Sequence, residues 1–253
     1  MTAMRRLLTL CLGWMLFSAQ AALAAQGEIL ARPYGTVPGM NYGFWEYLPL
    51  GYDDAPTEEF PLVVLLHGTG EAGNGSAAAL EKIMNLNAPP RLIRNGRDFP
   101  FILIAPQRFN AFIQVPEIDA IIEYAKVHYR VDPRRIYLTG ISAGAIQTWA
   151  YAAQHYAKLA AVLPIAGNGN GLNLCPMAAA GLPVWAFHGL ADGTVSPYGS
   201  IDPVNRMNNT CSPAANPAAL LTLYPGVGHD SWGRTYDGSA GHDVYAWLLS
   251  HSL

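Results

Sequence analysis

The stretch LTGISAGAIQTWAY, residues 138–151, decides how this chain is read. Residues 135–142, RIYLTGIS, form a short apolar run of the kind buried on both faces of a parallel sheet. From residue 143 to 155 the pattern becomes that of a helix. Gly140 and Gly144 stand two residues either side of Ser142, where strand hands over to helix. A turn that sharp strains the backbone of its central residue and admits only small neighbours against the strand and the helix. The pattern is G-x-S-x-G, and its position between strand and helix is what gives it meaning. The alternative reading of the same residues is a glycine-rich helix entry with a capping serine. In the strand–turn–helix reading the Ser142 hydroxyl stands out into a cleft, and the Ala143 N–H, at the helix start, points into the same space.

Working outward, other apolar runs have the same character. Residues 60–68, 99–107, 159–167, 183–189 and 219–227 read as buried strands, and 41–50 as an early, aromatic-rich strand. Helices are expected over 77–86, 116–129 and 243–251; in the second, Ile118, Ile121, Ile122 and Ala125 recur at helical spacing. Strands alternating with helices predict an α/β fold, a mostly parallel sheet covered on both faces. No linker divides the chain, so one domain is expected over 25–253. Two stretches, 168–182 and 197–218, read as long and irregular and are expected to wall a site at the strand C-terminal ends.

A serine hydroxyl is a weak nucleophile at neutral pH and needs a base held by a carboxylate. In the strand–turn–helix context the acid and then the histidine follow the serine along the chain. FHGLADGTV, 187–195, places Asp192 just after a strand, and YPGVGHDSW, 224–232, places His229 in a glycine-flanked loop after the last strand. Ser142, Asp192 and His229 are thus expected to converge on one edge of the sheet. Asp202, Asp230 and Asp237 follow no strand directly, and His188, His242, His128 and His155 read as packing or capping residues. The loop LLHGTGEAGNG, 65–75, is expected to supply a second oxyanion donor, the N–H of Thr69 or else of Gly70, with His67 bracing it. It lacks the Gly-Lys-Ser/Thr ending of a nucleotide-binding loop. Trp185, Trp232 and tyrosines 198, 224 and 236 fall on or near site-forming segments, where aromatics either stack on substrate or simply pack.

Composition narrows the alternatives. Hydrophobic residues make up 51% and charged residues 13% of the 253, enough for a large core and too apolar for disorder. Arg5 and Arg6, an apolar run over 7–17 and an Ala22-Leu23-Ala24 site read as a secretory signal over 1–24, cleaved before Ala25. Cleavage there removes two of the 15 basic residues and none of the 18 acids, leaving a net charge of −5. A mildly acidic chain without a basic cluster is a poor partner for nucleic acid or anionic membrane. No cofactor motif and no metal-ligand spacing of Cys and His is present. Cys175 and Cys211 are left as either a disulfide or two buried thiols.

The stretches EYLPLGY, LLHGTGEAG, VDPRRIYLTGISAGA, HGLADGTV and YPGVGHDSW fall in order over residues 46–232. Through them the chain resembles the α/β-hydrolase superfamily, and most closely its secreted carbohydrate-esterase, phospholipase/carboxylesterase-like and polyhydroxyalkanoate-depolymerase-like branch. The resemblance implies a metal-free serine hydrolase passing through an acyl-enzyme. It implies Ser142 as nucleophile, Asp192 as acid and His229 as base, with Thr69 and Ala143 as oxyanion donors. A chain this short leaves no room for a large lid, and an open cleft suits a small or polysaccharide ester, with acetyl or feruloyl groups as examples; the signal over 1–24 predicts a periplasmic or extracellular location. Gly70, Trp185 and Trp232 are the candidate substrate contacts. Ala145 departs from relatives, which often carry another glycine there. GHDSW and HGTGE also resemble proteins labelled peptidases, which leaves amide cleavage as one rival reading; a binding module without catalysis is another.

Overall fold

The computed structural model describes residues 26–37, 40–110 and 112–253; the expected export signal lies outside them. Eight strands form one sheet: β1 (Ile29–Arg32), β2 (Gly43–Tyr47), β3 (Phe60–Leu66), β4 (Ile102–Gln107), β5 (Val131–Ile141), β6 (Ala161–Ile165), β7 (Trp185–Gly189) and β8 (Leu220–Tyr224). Their spatial order is β1-β2-β4-β3-β5-β6-β7-β8. β3 to β8 run parallel, and β2 pairs antiparallel with both β1 and β4.

Alternation along each strand builds two cores, because successive side chains point to opposite faces. In β3, Leu62, Val64 and Leu66 join one core, and Val63 and Leu65 the other. This is why the strands read as unbroken apolar runs. The first core packs under α3 (Val115–His128), α4 (Ala143–His155), α5 (Cys175–Ala179) and α6 (Tyr198–Asn209). The second packs under α1 (Ala77–Met84), α2 (Pro89–Arg94), α7 (Trp232–Tyr236) and α8 (Val244–Leu249). The chain leaves β3 for β4 on one side and returns across β3 to β5 on the other. That reversal opens a crevice beyond the carboxyl ends of β3 and β5, the usual ligand site of such sheets.

The sequence expectations are corrected at several elements. β1 was not anticipated; it is a four-residue edge strand, tied to β2 by a buried Arg32–Glu46 ion pair at 3.0 Å. Tyr129 donates its hydroxyl to the same carboxylate at 2.5 Å. β5 begins at Val131, earlier than expected. The stretch 197–218 is not irregular: α6 fills most of it, although Pro203 lies inside that helix. Proline has no N–H to donate one turn back, and the carbonyl of Gly199 accepts from Gly169 N at 2.9 Å instead. α5 likewise occupies part of 168–182, and a Cys175–Cys211 disulfide ties its first residue to the chain just past α6. α2 and α7 are short helices the pattern did not reveal.

Candidate active site

Ser142 sits between β5 and α4 with φ 51° and ψ −117°. Such angles are costly for a residue with a Cβ and occur where the surroundings enforce them. Here the enforcement is visible. Ser142 N donates to the carbonyl of Ile165 in β6 at 3.0 Å. A Cβ on Gly140 would come within 2.4 Å of Gly144 O, and one on Gly144 within 2.2 Å of Leu66 O. Both glycines are therefore demanded by close backbone approach. Ala145 is accommodated because Gly167 faces it: a Cβ there would lie 2.6 Å from the Ala145 methyl.

Loops after β5, β7 and β8 bring the three expected polar residues together. Ser142 Oγ lies 2.9 Å from His229 Nε2. His229 Nδ1 lies 2.7 Å from Asp192 Oδ2. With Nδ1–H donating to the carboxylate, Nε2 is left to accept the serine proton. Asp192 is buried, which by itself would raise its pKa, but hydrogen bonds from His229 and from the N–H groups of Val195 and Thr194 outweigh that and hold it below the usual range. The two amides donate to Oδ1 at 2.9 and 2.8 Å.

Asp192 has a second histidine that the sequence reading set aside as a packing residue. Buried His188 places Nε2 3.1 Å from Asp192 Oδ2 and 3.0 Å from Val195 O, and Nδ1 2.8 Å from Ser200 Oγ. Nε2–H donates to the two oxygens, and Nδ1 accepts from the serine. Burial lowers the pKa of His188, which keeps the ring neutral in this arrangement. The i,i+4 spacing of His188 and Asp192 was the only sequence signal for the pair.

The cleft around Ser142 is about 280 Å³ and is lined by Gly68, Thr69, Gly70, Glu71, Ile141, Thr194, His229 and Trp232. Trp232 stands edge-on to His229, ring centres 5.3 Å apart. Thr69 opens the short turn Thr69–Glu71, and Ala143 is the first residue of α4. N–H groups at helix starts have no acceptor within the helix; Thr69 lines the cleft, and Ala143 follows Ser142 directly in the chain. His67 braces the loop as expected: Nδ1 donates to Gly68 O at 2.6 Å, and Nε2 accepts from Arg108 N at 3.3 Å.

Trp185 is a correction. It begins β7, at the opposite end of the strand from Asp192, and its indole donates to Thr222 Oγ1 while it packs on Phe187, His242 and Trp247. Tyr224 and Tyr236 also pack, bonded to Thr235 and Thr139. The described residues of 168–182 and 197–218 do not line the cleft around Ser142. Asp237 bonds Asn87 and Ser239, and His128 and His155 stack on Tyr124 and Tyr151.

Comparison with known proteins follows the same geometry. Residues 107–246, more than half the chain, match the dienelactone hydrolase family. A poly(3-hydroxyalkanoate) depolymerase C from Paucimonas lemoignei is 27% identical over 177 residues, covering 61% of this chain and 39% of the depolymerase. A thermostable esterase of known structure aligns with a TM-score of 0.66 at 25% identity, over 89% of this chain and 63% of its own. A ferulic acid esterase aligns with a TM-score of 0.59 at 17% identity, over 87% of this chain and 97% of its own, a likeness of fold. The chain thus spans less than two thirds of the depolymerase and of the thermostable esterase. With this match, the strand order and the turn at Ser142, the chain belongs to the dienelactone hydrolase family of the α/β-hydrolase superfamily.

Proposed function

We propose that the protein is a serine hydrolase of carboxylic esters. The observation that carries this reading is the unbroken hydrogen-bonded line Ser142–His229–Asp192, opening on a cleft. Ser142 Oγ attacks the ester carbonyl while His229 Nε2 takes its proton. Asp192 fixes the imidazole tautomer and stabilises the imidazolium. The N–H groups of Thr69 and Ala143 hold the oxyanion. His229 then protonates the departing alcohol, leaving an acyl-enzyme, and water repeats the cycle to free Ser142.

The substrates are small esters or the acyl groups, such as acetyl or feruloyl, that decorate polysaccharides. A small cleft, the glycine-rich loop and Trp232 beside the base support this, as do the names of the esterase and depolymerase relatives. Residues 1–24 serve as an export signal, and 25–253 act as one catalytic domain in the periplasm or outside the cell. The Cys175–Cys211 disulfide supports an oxidising compartment. Among the described residues no helix is long and apolar enough to cross a membrane.

The test is hydrolysis of 4-nitrophenyl acetate, a feruloyl ester and a peptide anilide by the purified chain, with fluorophosphonate labelling. Turnover of the esters, labelling at Ser142, and a loss of about 10⁴–10⁶ in kcat in Ser142→Ala are expected. Undiminished ester hydrolysis by Ser142→Ala would overturn the assignment, and cleavage of the anilide alone would make the protein a peptidase.

A further inference from the structure

The proposed mechanism leaves one charged group in the cleft unused. Glu71, the last residue of the turn after β3, lines the cleft with Ser142, His229 and Trp232. Its Oε2 lies 3.0 Å, and Ser142 Cβ 3.5 Å, from the point a Gly68 Cβ would occupy. Glu71 Oε2 and Ser142 Cβ are therefore at most about 6.5 Å apart, a separation at which a carboxylate in a half-buried cleft still repels a like charge held beside Ser142. No Lys or Arg is among the residues lining the cleft. Lys82, the cation acting on Glu71, sits on α1, donates to Ala72 O at 2.8 Å and does not line the cleft. Burial pushes the Glu71 carboxyl up from its ordinary value, while the amides of Gly68 and Glu71 and the Lys82 charge pull it back.

We propose that Glu71 sets the charge selectivity of this cleft, so that the esters it accepts are uncharged near the scissile bond. This rests on the ester-hydrolase reading above. A carboxylate there repels a substrate carboxylate and accepts hydrogen bonds from hydroxyl groups. The class so defined is acyl groups on neutral sugars, in preference to esters of uronates or half-esters of diacids. Thr69, Thr194 and Trp232 line the same cleft.

Two matched pairs test it, one with the charge on each side of the bond: 4-acetoxybenzoate against 4-acetoxybenzamide, and the 4-nitrophenyl half-ester of adipic acid against 4-nitrophenyl heptanoate. The readout is the anionic-to-neutral ratio of kcat/KM, in which intrinsic reactivity cancels between enzymes. Relative to wild type, Glu71→Gln is expected to raise that ratio about tenfold in at least one pair, the effect of removing one like charge at this distance. Glu81→Gln, which removes an exposed acid on α1 outside the cleft, is expected to leave it unchanged. Should Glu71→Gln not fold, the wild-type enzyme serves alone: its ratio must rise with salt as the repulsion is screened. A ratio that Glu71→Gln moves less than twofold in both pairs overturns the proposal, and so does a ratio indifferent to salt. Failure to hydrolyse either neutral ester overturns the ester-hydrolase reading along with it.

Discussion

At φ 51°, Ser142 carries strain that only its neighbours justify. Replacing it by glycine removes the Cβ that makes these angles costly, so Ser142→Gly is expected to be inactive yet more stable by about 1–2 kcal/mol in urea denaturation. Gly144→Ala is expected to go the other way. Its methyl would meet the Leu66 carbonyl at 2.2 Å, and a backbone atom cannot turn aside, so a loss of about 2 kcal/mol or more is expected in the same assay. His188 behaves differently from His229. His188→Ala leaves the Ser200 hydroxyl unpartnered and a void beside Asp192, at a cost of about 2–4 kcal/mol. Because Asp192 keeps its two loop amides and His229, the folded fraction should retain kcat within about 100-fold, whereas His229→Ala should lose about 10⁴. Steady-state kinetics alongside denaturation separates the two histidines. Ser142, Asp192 and His229 were legible from spacing because each follows a strand. The His188–Asp192 contact was not, since it depends on side-chain directions at the end of β7.

Among the elements, α6 shows where local pattern misleads. Pro203 argues against a helix when read from sequence, yet the carbonyl it strands finds Gly169 and the helix persists. The buried Val204 and Met207 then pack on the first core, and packing outweighs propensity. The disulfide fastens this layer by closing a separation of 36 residues. Cys175→Ser/Cys211→Ser is expected to destabilise by about 2–4 kcal/mol, chiefly by restoring freedom to the unfolded chain, read as a lower urea midpoint. The double variant is expected to keep ester turnover when folded, because neither α5 nor α6 lines the cleft around Ser142. β1 escaped notice for a related reason. Four residues at an edge, only Arg32 of them buried, carry little period, and the buried Arg32–Glu46 pair that fixes them spans two separate segments.

Across the whole molecule, pH ties site and stability together. Burial lowers the pKa of His67, His188 and His251. Below about pH 6.5 the unfolded chain binds protons that these rings in the fold do not, so stability falls as pH drops from there toward their folded values. Asp119, Asp132, Asp192 and Asp237 are held below their ordinary values, and their contribution is present above about pH 4 and lost as pH falls through the lowered ones. Urea midpoints measured from pH 8 to pH 3 are expected to decline in these two stages, and His188→Ala to flatten the first. The sequence by itself determined the layered architecture and the order of the chemistry along it. Unbroken apolar runs, helical spacing and the glycines about Ser142 are local consequences of burial and steric exclusion, readable a few residues at a time. Only the tertiary structure decided which polar groups face one another. The second histidine on Asp192, the acid beside Ser142, Trp232 rather than Trp185 at the cleft, and the cysteine pairing all depend on which end and face of the sheet a side chain occupies. That is settled by packing between segments far apart in the chain.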